Sequence, residues 1–328
     1  MVDGVPSCPG KDPLVPTIFH EPWWLDAASG GQYEEVTVSA GGRTLGRLPF
    51  VRRKRLGFTI CEPPETTHFL GPAVDEGSGS SESRALRRAE ITLELIEKLP
   101  SFDHFHQWLH RGIPDALPFV QHDFTVEAAF TYEVAPGPEQ AIWRNMRDKT
   151  RNVIRRAQEQ TELVDLDPGG FSALYDANLQ RKGQSFNKMI KSNSQSVFVA
   201  ALSRGQGRLL AARDEAGTLL AAIFYVWDRS VTYYMLTTRA PGTHNGVVSR
   251  LIWEAMRESA AQGRIFDLGG IGTSGSVLFY IGFGGEVRTR YVVERMNPVY
   301  GAMRSSLMKS REVVRRLRDR RLHHEPEP

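Results

Sequence analysis

Cysteine is nearly absent: Cys8 and Cys61 are the only two in 328 residues, and Cys8 lies in a Pro-rich opening stretch. That excludes a disulfide framework and a cysteine metal site, so the chain folds by packing alone. Long apolar runs are also missing. Nowhere do 18 uncharged apolar residues stand together, and the opening MVDGVPSCPGKDPLVP has no basic segment followed by an apolar one. No transmembrane segment or secretory signal is therefore expected, and a cytoplasmic location follows as the default. Residues 1–16 read as a disordered leader.

Net charge is small as well, only +3, but it is unevenly distributed. Residues 144–156 hold six basic residues against Asp148, and residues 304–321 hold eight against Glu312 and Asp319, which leaves the remainder acidic. Two such concentrations suit a polyanionic partner, or else two solvated helix faces. With 41% hydrophobic and 24% charged residues the composition is that of a globular protein. Its length exceeds what one core usually holds, so two fused lobes are expected.

The pattern along the chain supports an α/β architecture. TIFHEPWWLDAASG reads as a short strand and a helix burying Trp23 or Trp24. YEEVTVSAGGRTLGRLPFVRRKRLGFTICEPP alternates around an Ala-Gly-Gly turn, giving a hairpin and a third strand. A helix with Ile91, Leu95 and Leu99 on one face follows. SFDHFHQWLH and HDFTVEAAFTYEV are strands, and a Pro-Gly-Pro break closes the first half. EQAIWRNMRDKTRNVIRRAQEQ has Ile142, Met146, Val153 and Ala157 at helical spacing, with Arg147, Arg151 and Arg155 recurring on another face. Two more helices, around 171–179 and 197–203, lead into the three runs of RLLAARDEAGTLLAAIFYVWDRSVTYYMLTT, an antiparallel meander. NGVVSRLIWEAMRESAAQG is a helix ending at Gly263. A strand, a short helix and the strand EVRTRYVVERM complete the plan.

RIFDLGGIGTSGSVLFYIGFGG contains Gly270-x-Gly272-x-x-Gly275, the spacing of a dinucleotide fingerprint, after a strand and before a helix. Only 53 residues follow Gly275, and the last part of them is a basic tail, so the second half of a nucleotide-binding unit has no room. These glycines serve either a simple turn or a close backbone approach to a ligand. His104, His106 and His110 with Asp103 offer metal-ligand chemistry, but a strand spacing without a completing carboxylate or Cys pattern favours a structural role, and no metal or cofactor is expected. Ser274 and Ser276 lie in a Gly-rich turn with no base or acid assignable to them. RSSLMKSREVVRRLRDRR carries Leu307, Val313, Val314 and Leu317 as a rough stripe that covers the second half, contacts RNA or touches anionic lipid.

The order of elements resembles the GNAT acyltransferase fold, and several segments resemble its Fem-type transferases and FemAB-like relatives. They are IFHEPWWLDA, LPFVRRKRLGFTICEPPETTHFLGP, FHQWLHRGIPDALPFVQHDFTVEAAFTYEV, IWRNMRDKTRNVIRRAQEQ, LLAAIFYVWDRSVTYYMLTT and FDLGGIGTSGSVLFYIGFGG, spanning most of Thr17 to Arg295. The resemblance implies two fused GNAT-like lobes with mixed, mostly antiparallel sheets and flanking helices. The first, 17–135, would face the acceptor; the second, 136–300, the donor; residues 301–328 would form a basic C-terminal helix and tail. It further implies an acyltransferase that makes an amide bond, taking an aminoacyl group from aminoacyl-tRNA to an amine of a small-molecule or peptide acceptor.

The GNAT pyrophosphate loop of acyl-CoA enzymes does not match TTRAPGTHNGVVSRLIWEAM in spacing, which weakens acyl-CoA as donor. An acyl-CoA-dependent N-acyltransferase acting on a sugar or polysaccharide precursor is the second reading, and a non-catalytic RNA-binding protein the third. On the donor side the resemblance implies Lys149, Arg151, Arg155, Arg156, Gly270 and Gly272. On the acceptor side it implies Trp24, Arg53 and His68. Where many Fem-type enzymes carry Phe-Lys and FemAB-like relatives Phe-Arg, this chain has Phe279-Tyr280. Tyr280 can therefore serve an oxyanion or leaving group only as a neutral hydrogen-bond donor, or pack as an aromatic. The sequence names no catalytic base, acceptor or oligomeric state.

Overall fold

The computed structural model describes residues 12–181, 188–270 and 274–307. A 3₁₀ turn at Ile18–His20 opens the fold where a strand was expected, because Glu21 turns extended and Pro22 then starts helix α1 (Pro22–Ser29). The hairpin and third strand form as β1 (Tyr33–Ala40), β2 (Arg43–Arg55) and β3 (Phe58–Glu62). After them come β4 (Ala73–Val74), α2 (Ser81–Glu97), β5 (His104–Trp108), α3 (Leu117–Gln121) and β6 (Thr125–Val134). The Ser80 side chain accepts from the Ser83 amide and caps α2, while Leu99 falls just beyond its end.

The single helix expected over 139–160 is two: α4 (Glu139–Asn145) and α5 (Asp148–Gln160), separated where Met146 and Arg147 turn extended. The inward residues of the pair are Ile142, Met146, Ile154 and Ala157; Ile154 and not Val153 takes the buried place. Next are β7 (Glu162–Asp165), α6 (Pro168–Arg181) and α7 (Lys188–Ser203). The meander is β8 (Gly207–Arg213), β9 (Leu219–Trp227) and β10 (Val231–Arg239). It is followed by α8 (Asn245–Ala261), β11 (Ile265–Gly270), α9 (Ser274–Ile281) and β12 (Glu286–Met296).

All strands join one mixed, mostly antiparallel sheet in the order β1-β2-β3-β5-β12-β6-β11-β10-β9-β8-β7, with β4 beside β2. The parallel pairs are β3 with β5 and β10 with β11. Both sequence halves contribute to the middle. β12 lies between β5 and β6, and β6 lies between β12 and β11.

Helices cover the sheet on both faces around the meander, which is why β9 reads as the continuous apolar run LLAAIFYVW instead of alternating. On one face Ile154, Leu251, Ile252 and Met256 from α5 and α8 pack on Ile223, Tyr225 and Phe266. On the other, Trp24, Leu25, Phe171 and Phe198 from α1, α6 and α7 pack on Phe224, Val226 and Tyr233. A third cluster, with Leu48, Leu95, Phe105 and Phe119, forms the core of the first half. Among the described residues no helix is long and apolar enough to cross a membrane.

Candidate functional site

The site begins where two strands part. β10 and β11 pair in parallel only at Val231–Ile265, Thr232–Phe266 and Tyr233–Asp267. Beyond Asp267, β11 turns at Gly269, whose φ of +83° lies in the left-handed region open to glycine. β10 departs as well: Tyr234 faces Tyr225 and Leu236 faces Phe224, so Met235 is an extra residue without an opposite number in β9. The strands separate at their carboxyl ends, the place where open α/β sheets accept ligands.

A cleft of about 380 Å³ opens beside this parting, lined by Glu62, Pro64, His68, His106, Trp108 and Gly270 among others. Trp108 reaches it from β5 and Gly270 from β11. A Cβ built on Gly270 would stand 3.2 Å from Trp108 Cζ3, so only glycine leaves the indole its present position without adjustment. His68 comes from the β3–β4 loop. A Cβ built on Gly269 would lie 3.7 Å from His68 Cε1 and 3.8 Å from Nδ1, so the imidazole stands next to the strand end with room for about a methyl group between them. The loop is held from beneath by Trp24, whose Nε1 donates to Thr67 Oγ1 at 3.0 Å.

Aromatic rings fix the imidazole further. Its centroid is 6.0 Å from that of Phe19 and 6.1 Å from that of Phe69. Burial pushes its pKa down to about 4, so the ring is neutral at pH 7. Among the described residues it has no hydrogen-bond partner.

Under the strand end lies a buried ionic cluster. Asp267 accepts from the Gly269 amide at 2.8 Å through Oδ1, which pins the left-handed turn. Arg290 Nη2 pairs with Glu133 and lies 3.5 Å from Asp267 Oδ2. Arg111 approaches Glu133 from the other side at 3.3 Å, and the Arg290 guanidinium stacks 5.6 Å from the Phe69 ring centroid. Burial raises Asp267 to about 6; Arg290 opposes that rise and Glu133 adds to it. A second cavity, about 600 Å³, adjoins this cluster along Arg111, Glu133, Arg288 and Arg290.

Tyr280 and Phe279 lie outside the lining of the His68 cleft. They pack against the cluster that holds Tyr234, whereas His68 packs on Phe19 and Phe69, which belong with Tyr233. Because Tyr233 and Tyr234 are consecutive in β10 and face opposite ways, His68 and Tyr280 flank the strand parting from its two sides. Burial, and then the charge of Asp267, raise the Tyr280 phenol above its ordinary value, so it is a neutral donor.

The basic face divides by role. Arg151 Nη1 donates to the carbonyls of Arg144 at 2.7 Å and Met146 at 2.8 Å, closing the end of α4, and its Nη2 pairs with Asp148. Arg155 lies 5.4 Å over the Trp143 ring and bonds Asn152. Lys149 and Arg156 are exposed. Among the described residues, Arg144, Arg147, Lys149, Arg155 and Arg156 have no carboxylate partner. α5 is tied to the α9 turn by the Arg147 amide, which donates to the Gly282 carbonyl at 3.1 Å. The amino end of α8 is capped: His244 Nδ1 accepts from the Gly246 amide at 3.0 Å, and the Arg239 side chain at the end of β10 bonds that of Asn245.

The remaining sequence-named residues are dispersed. Trp24 is wholly buried and reaches the cleft only through Thr67, so direct contact with an acceptor is excluded by its packing. Arg53 bonds Glu65 at 2.9 Å and approaches Glu62 at 3.8 Å at the cleft rim. Gly272 lies outside the described residues. His104 bonds Glu294 and His110 bonds the Pro72 carbonyl, and among the described residues no cluster could hold a metal ion. Trp108, Met235 and Asp267 were missed as site residues. Each stood in a segment read correctly as strand, and only IFDLGG, with an acid one residue ahead of two glycines, carried a signal that could have been taken up.

Residues 144–275 match the profile described as an acetyltransferase (GNAT) domain. No curated protein matches the chain. Among solved structures, FemX is 13% identical with a TM-score of 0.61, over 86% of this chain and 93% of FemX. The C-terminal (DUF2156) domain of a protein assigned as a lysylphosphatidylglycerol synthetase, from Agrobacterium fabrum, is 12% identical with a TM-score of 0.52, over 85% and 88%. A tandem GNAT protein from the clavulanic acid biosynthesis pathway, solved without AcCoA, is 13% identical with a TM-score of 0.50, over 80% and 82%. Residues 144–275 thus resemble a GNAT acetyltransferase domain, and the whole chain has the fold seen in FemX and in the tandem GNAT protein.

Proposed function

We propose that this protein transfers an aminoacyl group from a charged tRNA to an amine held in the His68–Trp108 cleft, forming an amide. An ester of this kind is already activated. The protein needs chiefly to hold a neutral amine against the carbonyl and to stabilise the oxyanion that develops, and the parting of β10 and β11 offers backbone groups beside the cleft for that purpose. The acceptor would lie against Trp108 and His68, near the Arg53–Glu62–Glu65 rim.

One observation carries the choice of donor. Five cations along α4 and α5 have no carboxylate partner among the described residues, and the helix that bears most of them is hydrogen-bonded to the α9 turn beside the strand parting. α5 alone has 13 residues and so extends roughly 20 Å, a length suited to a chain of phosphates. The capped amino end of α8 argues in the same direction, since the Gly246 amide is already taken up by the His244 side chain. What favours a thioester instead is the acetyltransferase description of the matching family.

The test is donor consumption. The purified protein is incubated with bulk aminoacyl-tRNA or with acetyl-CoA and a panel of amines. Loss of the aminoacyl ester, abolished by ribonuclease and dependent on amine, is the expected result. Loss of the thioester would establish the acyl-CoA reading, and RNA binding without turnover of either donor would establish a non-catalytic protein.

A further inference from the structure

The described histidines differ in what occupies their ring nitrogens. His20 bonds Thr17 and the Gly71 carbonyl, His104 bonds Glu294, His110 the Pro72 carbonyl, and His244 the Gly246 amide. His68 and His106 are the two that line the cleft. Of the two, His68 is the one beside the turn of the strand end, where a Cβ on Gly269 would meet its ring. His106 stands one pleat back from Trp108 on β5 and lies under the influence of Glu294, His104 and Arg304. No charged group contributes to the shift of His68; burial alone sets it, and neither Glu62 nor His106 in the same cleft alters it.

We infer that His68 is the general base of the transfer, receiving the proton of the acceptor amine at the parting of β10 and β11. This rests on the acyl-transfer reading above. Trp24 and Thr67 hold its loop, Phe19 and Phe69 flank its ring, and among the described residues its ring nitrogens have no hydrogen-bond partner. The step balances without any further reactant. The amine lone pair forms the C–N bond at the donor carbonyl carbon while the carbonyl π electrons move to oxygen. The N–H proton passes to the imidazole. The tetrahedral adduct then expels the ester oxygen, the C–O bond breaks, and the imidazolium returns its proton to that oxygen. The products are an amide and a free hydroxyl, and His68 ends as it began. The base is weak, but it is fully unprotonated at neutral pH, and the oxyanion forming next to it stabilises the imidazolium at the moment of transfer.

The experiment compares wild type, His68→Gln and His106→Gln with whichever donor the wild type consumes, bulk aminoacyl-tRNA or acetyl-CoA. Two acceptors are used: a simple alkylamine, and hydroxylamine, whose nitrogen is largely unprotonated at pH 7. Loss of a general base predicts a fall in kcat of about 100-fold or more for H68Q with the alkylamine, little change in KM, and a smaller loss with hydroxylamine. The inference is overturned if H68Q keeps kcat within about threefold, if both acceptors suffer equally, or if H106Q shows the selective loss instead. A wild-type measurement stands in if H68Q fails to fold. Its kcat/KM, corrected for protonation of the amine, stays flat down to about pH 5 if His68 is the base, whereas a limb near the ordinary imidazole range assigns the proton elsewhere. Consumption of neither donor by the wild type removes the acyl-transfer reading itself, and the inference with it. Wild-type turnover with an unaffected H68Q removes the inference alone.

Discussion

Asp267 gives one oxygen to the Gly269 amide and shares Arg290 with Glu133, while its second oxygen has no hydrogen bond among the described residues. Its folded pKa, about 6, lies above the ordinary 3.8, so ionisation is harder in the folded chain. The sign follows: its contribution to stability is fully present below pH 3.8 and is lost as pH rises toward 6, by about 3 kcal/mol at most. Asp267→Asn keeps an acceptor for Gly269 and leaves Arg290 its pair with Glu133. Urea midpoints for the variant should therefore lose this downward slope between pH 4 and 6 and at pH 8 match or exceed the parent's.

His68 has the opposite linkage. Its folded pKa is depressed to about 4 from 6.5, so the associated stability is present above pH 6.5 and is lost as pH falls through 4. His68→Gln should flatten the stability profile across that window, measured in the same urea series. Gly270→Ala tests the cleft wall. Its new methyl would press on Trp108 and should depress turnover with at most a small change in Tm, since the indole must give by only a few tenths of an ångström.

At the scale of elements, Arg151 and its neighbours on α5 separate structure from binding. Arg151 closes the carbonyl end of α4, so Arg151→Met should cost about 1–3 kcal/mol and lower the melting temperature. Arg156→Glu, on an exposed position of the same helix, should leave melting nearly unchanged and weaken binding of tRNA, with a shallower dependence on salt. The contrast is read by pairing thermal melts with filter binding across a salt series.

These elements were legible to different depths. Alternation around Ala40-Gly41-Gly42 exposed the β1–β2 hairpin, and two short turns exposed the meander, because both signals are local. The α4–α5 break was hidden because a 3.6-residue periodicity continues through Met146 even though the backbone does not. The strand at residues 17–20 failed for a similar reason: Thr-Ile-Phe-His has strand-like composition, but Pro22 commits the chain to a helix two residues later. His68 and Gly270 could each be named from the resemblance. Their meeting could not, since it depends on sheet order, which no local pattern encodes. Trp108 was invisible as a site residue for the same cause, and Asp267 showed only as an acid close ahead of two glycines.

On the scale of the whole molecule, the sheet ties the first and second halves together through β12 and β6. A division at 135/136 places β12 with the second half although it pairs with β5 and β6 of the first. Fragments 17–135 and 136–300, expressed separately, should each be insoluble or unfolded, because each leaves long unpaired strand edges. The intact chain should melt in a single cooperative transition by calorimetry and by circular dichroism. Two separated transitions would show that the halves are energetically independent.

The interleaving of β12 also limits how such a protein can breathe. Rocking the halves apart like jaws would tear the ladders from Val292–Trp108 to Met296–His104 and from Glu286–Glu133 to Glu294–Thr125. Separating the two sequence halves would thus require breaking main-chain ladders in the middle of the sheet, not merely parting two packed surfaces.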